Sequence, residues 1–234
     1  MPEICVNAVI FIIILVHIIS GKLGKRRIYM KRLFDIISAF TGLLLFSPVL
    51  LIAALLITCG DRGPVFYRGH RIGMNGKLFR MYKFRTMVVN ADKIGGPSTS
   101  DDDPRITRTG RILRKLKLDE LPQLFNVLAG EMSIVGPRPE VPFYVNMFTE
   151  EEKVILTVRP GITDYASIWN PDEGAVLKGS EDPEKVYMEL IRPKKIALQL
   201  KYVRERSFCT DVKIIVQTFL TIVSRKKKAL AEGE

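Results

Sequence analysis

Two apolar runs dominate the N-terminal quarter of the chain. The first, residues 8–19, is nearly unbroken but short for a membrane span, which needs about 20 residues. The second, residues 36–58, is about 23 residues or roughly 35 Å as a helix, enough to cross a bilayer. Ser47-Pro48 lies at its middle, where proline deletes one backbone donor and bends a helix. Basic residues flank this run on both sides, Lys31 and Arg32 before it and Arg62, Arg68 and Arg71 after. A spanning helix shows a charge bias between its ends, and this one shows little. The pattern therefore admits a kinked span and equally a hairpin that enters and leaves on one face.

Beyond Gly60 the periodicity changes. Residues 64–67 and 78–84 read as short strands joined by a glycine-bearing connection, with Lys83 and Arg85 on one strand face by period 2. Residues 88–105 are polar and read as a loop. Residues 111–117 are an amphipathic helical stretch, with Ile112, Leu113 and Leu116 on one face. Leu121, Leu124, Phe125 and Leu128 then recur at helical spacing. Pro122 suits the first turn, Gly130 marks the stop, and residues 132–135 form a short apolar strand. Residues 150–158 and 182–204 read as charged helical regions. Residues 208–223 form an apolar amphipathic helix that runs into the basic sequence 225–228.

Composition sharpens this outline. The 234 residues carry a formal net charge of +11, which points to anionic partners such as lipid headgroups or phosphate-bearing substrates. Cys5, Cys59 and Cys209 are far apart and show no metal or disulfide spacing. No Walker loop or dinucleotide glycine motif occurs, and no nucleic-acid recognition motif accompanies the basic residues. The run Asp101-Asp102-Asp103 lacks the leading strand that a metal-binding acidic motif needs.

The stretch 118–139, LDELPQLFNVLAGEMSIVGPRP, concentrates the chemistry. Asp119 and Glu120 stand before a helix, where acidic residues ordinarily cap the backbone and complement the dipole. A carboxylate there also serves as a nucleophile on phosphorus if it stays ionised, and the helix start and Arg114 are both expected to favour that form. Arg138 is mounted between two prolines of fixed φ, a stiff phosphate grip. Arg159, in the turn Arg159-Pro160-Gly161, is a second arginine-bearing corner.

The segments MKRLFDI (30–36), FSPVL (46–50), YKFRTM (82–87), 103–139, RPGIT (159–163) and 202–215 together resemble the bacterial sugar transferase family, the monotopic polyprenyl-phosphate phosphoglycosyl transferases. The resemblance covers nearly everything after Met30. It implies an α+β, helix-rich, membrane-associated domain with a re-entrant helix-break-helix hairpin, amphipathic surface helices and a small β-sheet. Its expected parts are an N-terminal extension (1–29), the re-entrant helix (30–60), a catalytic domain on the cytoplasmic face of the inner membrane (61–224) and a basic tail (225–234). The first 29 residues fall outside the family pattern; either they form an extra anchor or Met30 is the true start.

The resemblance further implies that Asp119 attacks the sugar-linked phosphate of a UDP-sugar and releases UMP. The phospho-sugar then passes to undecaprenyl phosphate. Glu120 would assist, positioning Mg²⁺ together with Asp119 or managing a proton. Lys83, Arg85, Arg114, Arg138 and Arg159 would hold phosphates, and Ser47-Pro48 would be the break in the membrane insert. The partners are the donor, the lipid acceptor and membrane lipids, with no nucleic acid, and a homodimer is admitted. Residues 164–170 depart from the relatives' glutamine- and glycine-bearing loop, which leaves the sugar open. Trp169 there is a stacking candidate whose ordinary role is packing. The rival readings are a membrane phosphohydrolase with the same acidic pair and a non-enzymatic basic membrane adaptor.

Overall fold

The computed structural model describes residues 28–60, 62–96 and 98–224 together with their side chains. All but the last two residues of the expected N-terminal extension lie outside that range, as does the whole basic tail.

Helix α1 is assigned to Pro2–Asp61. A hairpin follows, strand β1 (Phe66–Ile72) pairing antiparallel with β2 (Leu78–Phe84). The turn between them needs Gly76 at φ 74° and Asn75 at φ 58°, left-handed positions that glycine and asparagine tolerate. Helix α2 (Arg108–Lys115) starts at Thr107, whose hydroxyl accepts from Gly110 N at 2.9 Å. Helix α3 (Gln123–Ala129) ends at Gly130, φ 86°, as its sequence predicts. Strand β3 (Ser133–Val135) then pairs in parallel with β4 (Gly161–Thr163). The described residues thus form two two-stranded sheets where a single small sheet is expected. Gly136 and Gly161 pack backbone to backbone beside that pair, and a Cβ on Gly161 would lie 2.0 Å from Gly136 N.

Short helices α4 (Pro142–Val145), α5 (Tyr165–Trp169), α6 (Glu173–Leu177) and α7 (Pro183–Val186) decorate the core. A π-helical turn, Tyr187–Ile191, leads into α8 (Arg192–Glu205), and α9 (Phe208–Ala231) closes the chain. The charged region read as helical over 182–204 is helical from Pro183 to Glu205, in three contiguous segments. The charged stretch at 150–158 contains a 3-10 helix, Glu152–Thr157.

One face of α1 packs on this domain along most of its described length. Ala39 and Leu43 join Phe79, Met81, Leu124, Val127 and Met132. Gly42 lets Leu124 approach, since a Cβ there would sit 3.1 Å from its Cδ1. Past Pro48, Leu50, Ala53 and Ile57 join Phe84, Leu113 and Leu118. The 3–4 residue spacing keeps these positions on one stripe. The opposite stripe, with Ile37, Phe40, Leu44, Leu51 and Leu55, is exposed.

The break expected at Ser47-Pro48 does not divide the helix. Pro48 lies inside α1, and Ser47 Oγ donates to Leu44 O at 2.8 Å. Proline costs a helix one hydrogen bond, and a neighbouring hydroxyl covers freed carbonyl capacity, so helical geometry survives the dipeptide.

The middle of α1, at Lys31 to Asp35, is tied to distant parts of the chain. Lys31 Nζ donates to Val135 O at 3.1 Å and pairs with Asp211 Oδ2 at 2.5 Å. Tyr202 OH donates to Asp211 Oδ1 at 2.8 Å and reaches the same Val135 O at 3.1 Å. Asp35 accepts from Ser133 Oγ and Ile134 N, both at 3.0 Å. Arg32 donates to Val127 O and Leu128 O in the last turn of α3, where a cation suits the helix dipole.

Candidate active site

Asp119 does not open an α-helix. It lies in a 3-10 turn, Leu118–Glu120, entered through Lys117 in the left-handed conformation at φ 56°. The turn precedes α3 and packs against β2, which brings the acidic pair to Lys83.

The two carboxylates have opposite surroundings. Glu120 carries two cations: its Oε1 accepts from Lys83 Nζ at 2.9 Å and Arg138 Nη2 at 2.5 Å, and its Oε2 from Arg138 Nη1 at 2.9 Å. Burial works to raise its pKa, but Arg138 and Lys83 outweigh burial and hold the carboxyl well below its usual range. Asp119, only 7 % exposed, accepts no hydrogen bond from the described residues. Burial raises its pKa, Lys83 and Arg114 pull it down, and Glu120 pushes it up further; the net shift is upward. Arg114 acts in the expected direction, favouring the ionised form, but desolvation is the larger influence and the net shift is upward. One member of the pair is a locked anion and the other a desolvated carboxyl, the division of roles that acid–base and nucleophilic sites use.

Arg138 is held from four sides. Besides Glu120, its Nη1 donates to Ile162 O at 2.7 Å, its N donates to Asp164 Oδ2 at 3.3 Å, and its O accepts from Gln199 Nε2 at 3.3 Å. Asp164 also caps α5, accepting from Ser167 N at 2.7 Å. The segment 164–170 therefore begins with a residue that steadies Arg138. Arg114 Nε donates to Thr86 Oγ1 at 2.9 Å. Helix α2 lies close enough for this only because residue 110 is glycine, where a Cβ would meet Thr86 O at 2.0 Å.

Of the expected phosphate grips, Lys83, Arg114 and Arg138 gather around the acidic pair. Arg85 is buried at the end of β2, with Nε and Nη2 unpartnered and Nη1 against Gly63, which takes φ 152°. Arg159 is not part of the cluster; its Nε donates to Gly130 O at 3.0 Å, at the end of α3. Trp169 lies under Lys194, whose Nζ is 4.6 Å from the ring centroid.

Several contributors escape sequence reasoning. Asn126 fixes β2 to α3, accepting from Tyr82 N at 2.9 Å and donating to Arg80 O at 2.8 Å. Lys195, buried on α8, pairs with Glu140 at 2.8 Å and Glu173 at 3.0 Å. An asparagine in a helix and a lysine in a charged run carry no local signal of burial.

Among the described residues, no three His, Cys, Asp or Glu side chains gather into a metal site. Mg²⁺ asks less, one or two carboxylates plus phosphate oxygens. Asp119 fits that demand, whereas Glu120 already has both oxygens engaged by cations.

The bacterial sugar transferase profile matches residues 26–225, which take in the C-terminal part of α1, the acidic pair, the Arg138 mount and most of α9. The chain belongs to the bacterial sugar transferase family. Within the family it is 37 % identical over 199 residues to the UDP-N-acetylgalactosamine-undecaprenyl-phosphate N-acetylgalactosaminephosphotransferase of Aeromonas hydrophila, covering 84 % of this chain and 44 % of that protein. It is 41 % identical over 199 residues to the undecaprenyl-phosphate glucose phosphotransferase of Komagataeibacter xylinus, covering 82 % of this chain and 35 % of that protein. The chain thus spans less than half the length of these two relatives. With the exopolysaccharide production protein ExoY of Sinorhizobium fredii, 36 % identical, the match covers 80 % of this chain and 83 % of the relative.

Proposed function

We propose that this protein transfers a phospho-sugar from a UDP-sugar to undecaprenyl phosphate, releasing UMP, at the cytoplasmic face of the inner membrane. The observation that carries this reading is the buried Asp119 beside a Glu120 clamped by Lys83 and Arg138. Relatives named as undecaprenyl-phosphate sugar phosphotransferases support it. In the first step an Asp119 oxygen bonds to the sugar-bearing phosphorus, the phosphoanhydride P–O bond breaks, and UMP leaves with the electron pair. In the second, a phosphate oxygen of the lipid attacks the same phosphorus and Asp119 departs as a carboxylate. No net proton is consumed. Arg138, Lys83 and Arg114 hold the phosphoryl oxygens as their charge redistributes. Mg²⁺ would be held through Asp119, with Glu120 joining only by releasing Lys83 or Arg138, and would neutralise phosphate charge.

The test is UMP release across a panel of UDP-sugars, with undecaprenyl phosphate present or omitted. Release that yields lipid-linked diphosphosugar supports transfer. Release of free sugar phosphate without acceptor favours a phosphohydrolase, and silence across the panel favours a membrane adaptor.

Membrane association is supported by the apolar outer stripe of α1, continued by Phe208, Val212, Val216 and Phe219 on α9. A course confined to one face of the membrane is supported by the undivided α1 packing on the same domain at Asp35 and again at Ile57. A spanning helix puts those positions on opposite sides of a bilayer, where one water-soluble domain does not reach both. Single cysteines replacing Tyr29 and Arg62, in a chain otherwise free of cysteine, are expected to react with an impermeant thiol reagent from the cytoplasmic side only. Labelling from opposite sides would make α1 a span.

A further inference from the structure

Glu173 is an acidic side chain among the cations of the site, and the transfer mechanism gives it no task. It opens α6, which is fastened on two sides. Asp101 N donates to Gly174 O at 3.1 Å, and Gly174 is packed so tightly that a Cβ would lie 2.3 Å from Asp101 Oδ1. On the other side, Lys195 Nζ holds Glu173 Oε1 at 3.0 Å while also bound to Glu140 Oε1 at 2.8 Å. Glu140 lies two residues beyond Arg138, so this lysine couples α6 to the phosphate grip. Burial works to raise the Glu173 carboxyl, and Lys195, then Arg138 and Lys83, bring it below its ordinary value. Lys195 is one helical turn before Gln199, which donates to Arg138 O, and it joins Glu173 to Glu140, so Glu173 is placed beside the mount of Arg138. Unlike Lys195, which is 8 % exposed at its side chain, Glu173 keeps 38 % of its side chain open.

A carboxylate on the edge of a phosphate site repels phosphate. What it accepts is the neutral, hydroxyl-rich part of the same donor, and a carboxylate pairs readily with two adjacent hydroxyls. We propose that Glu173, fixed by Lys195 and the Asp101 loop, is a specificity-determining residue that accepts hydrogen bonds from hydroxyls of the donor's transferred sugar. This rests on the donor being a UDP-sugar. Two parts of that molecule carry vicinal hydroxyls, the transferred sugar and the ribose, and UDP alone carries only the second.

The experiment measures binding of UDP and of the preferred UDP-sugar by calorimetry to the full-length protein in detergent, without acceptor and with Asp119→Asn as the common background so that the first transfer step does not consume the donor. In Glu173→Ala, affinity for the UDP-sugar is expected to fall roughly 10-fold or more, the size of a lost charge-assisted hydrogen bond, while affinity for UDP is unchanged. Glu173→Gln keeps an acceptor oxygen and is expected to fall between the two and to shift the ranking of UDP-sugars. Its milder change secures the comparison if the alanine variant melts early. Equal weakening of UDP and UDP-sugar would assign the contact to the ribose and overturn the proposal, as would no change in either. A wild-type protein that binds neither ligand would instead overturn the function proposed above, and this inference with it.

Discussion

Asp119→Asn is expected to lower UMP release by at least about a thousandfold while making the protein more stable. The activity loss follows from the role: an amide does not form the aspartyl-phosphate bond, and removing a covalent nucleophile leaves only the positioning of the remaining groups. The stability gain follows from the surroundings. Asp119 is buried, accepts no hydrogen bond from the described residues and has its pKa raised by desolvation, so its charged form is a cost to the folded state at neutral pH. A neutral isostere removes that cost, by about 1 kcal/mol on the scale of common stabilising substitutions. Kinetics and a thermal melt on the same preparation check both halves. A variant that keeps substantial UMP release sinks the nucleophile assignment; one that is inactive and less stable shows that Asp119 also holds the fold.

Arg138→Ala is expected to cost on both counts. The guanidinium makes two contacts with Glu120 and one with Ile162 O, and its loss leaves Glu120 with Lys83 alone. Breaking such a partly buried pair costs about 3 kcal/mol, with Lys83 limiting the damage. The loss of one electrostatic donor to a transferring phosphoryl group lowers turnover by about a hundredfold or more. The stability penalty has a pH signature. Arg138 depresses the folded-state pKa of Glu120, so its contribution is complete above the ordinary glutamate value of 4.5 and is lost as pH falls through the depressed value. Denaturant melts of the two proteins are expected to differ at pH 7 and converge in acid. A pH-independent gap would mean that packing rather than the ion pair carries the effect.

How much of this was legible along the chain depended on the range of the interactions. The 121–135 segment was readable because helical spacing, a glycine at the left-handed cap and an apolar triplet are all local features. The acidic pair was placed correctly beside that helix but not in its 3-10 turn, because the left-handed Lys117 that sets the turn has no sequence signature. Lys83 and Arg138 were identifiable from their mounts. The Lys195 bridge to Glu140 and Glu173 was not, since a charged helix pattern reads as solvated until a partner from another element covers it. The bond from Arg159 Nε to Gly130 O was not legible for the same reason, since it joins two distant turns.

The bond between Lys31 and Asp211 joins positions 180 residues apart. During synthesis, at about 5–20 residues per second, the ammonium emerges roughly 10–40 seconds before Asp211, and Asp35 roughly 5–20 seconds before Ser133 and Ile134. Over that interval the buried face of α1 has no domain to rest on. With the membrane association proposed above, the apolar helix would meet lipid first and the globular part would assemble onto it afterwards. The last helix closes the latch, so a chain that stalls before residue 211 leaves Lys31 without its carboxylate partner.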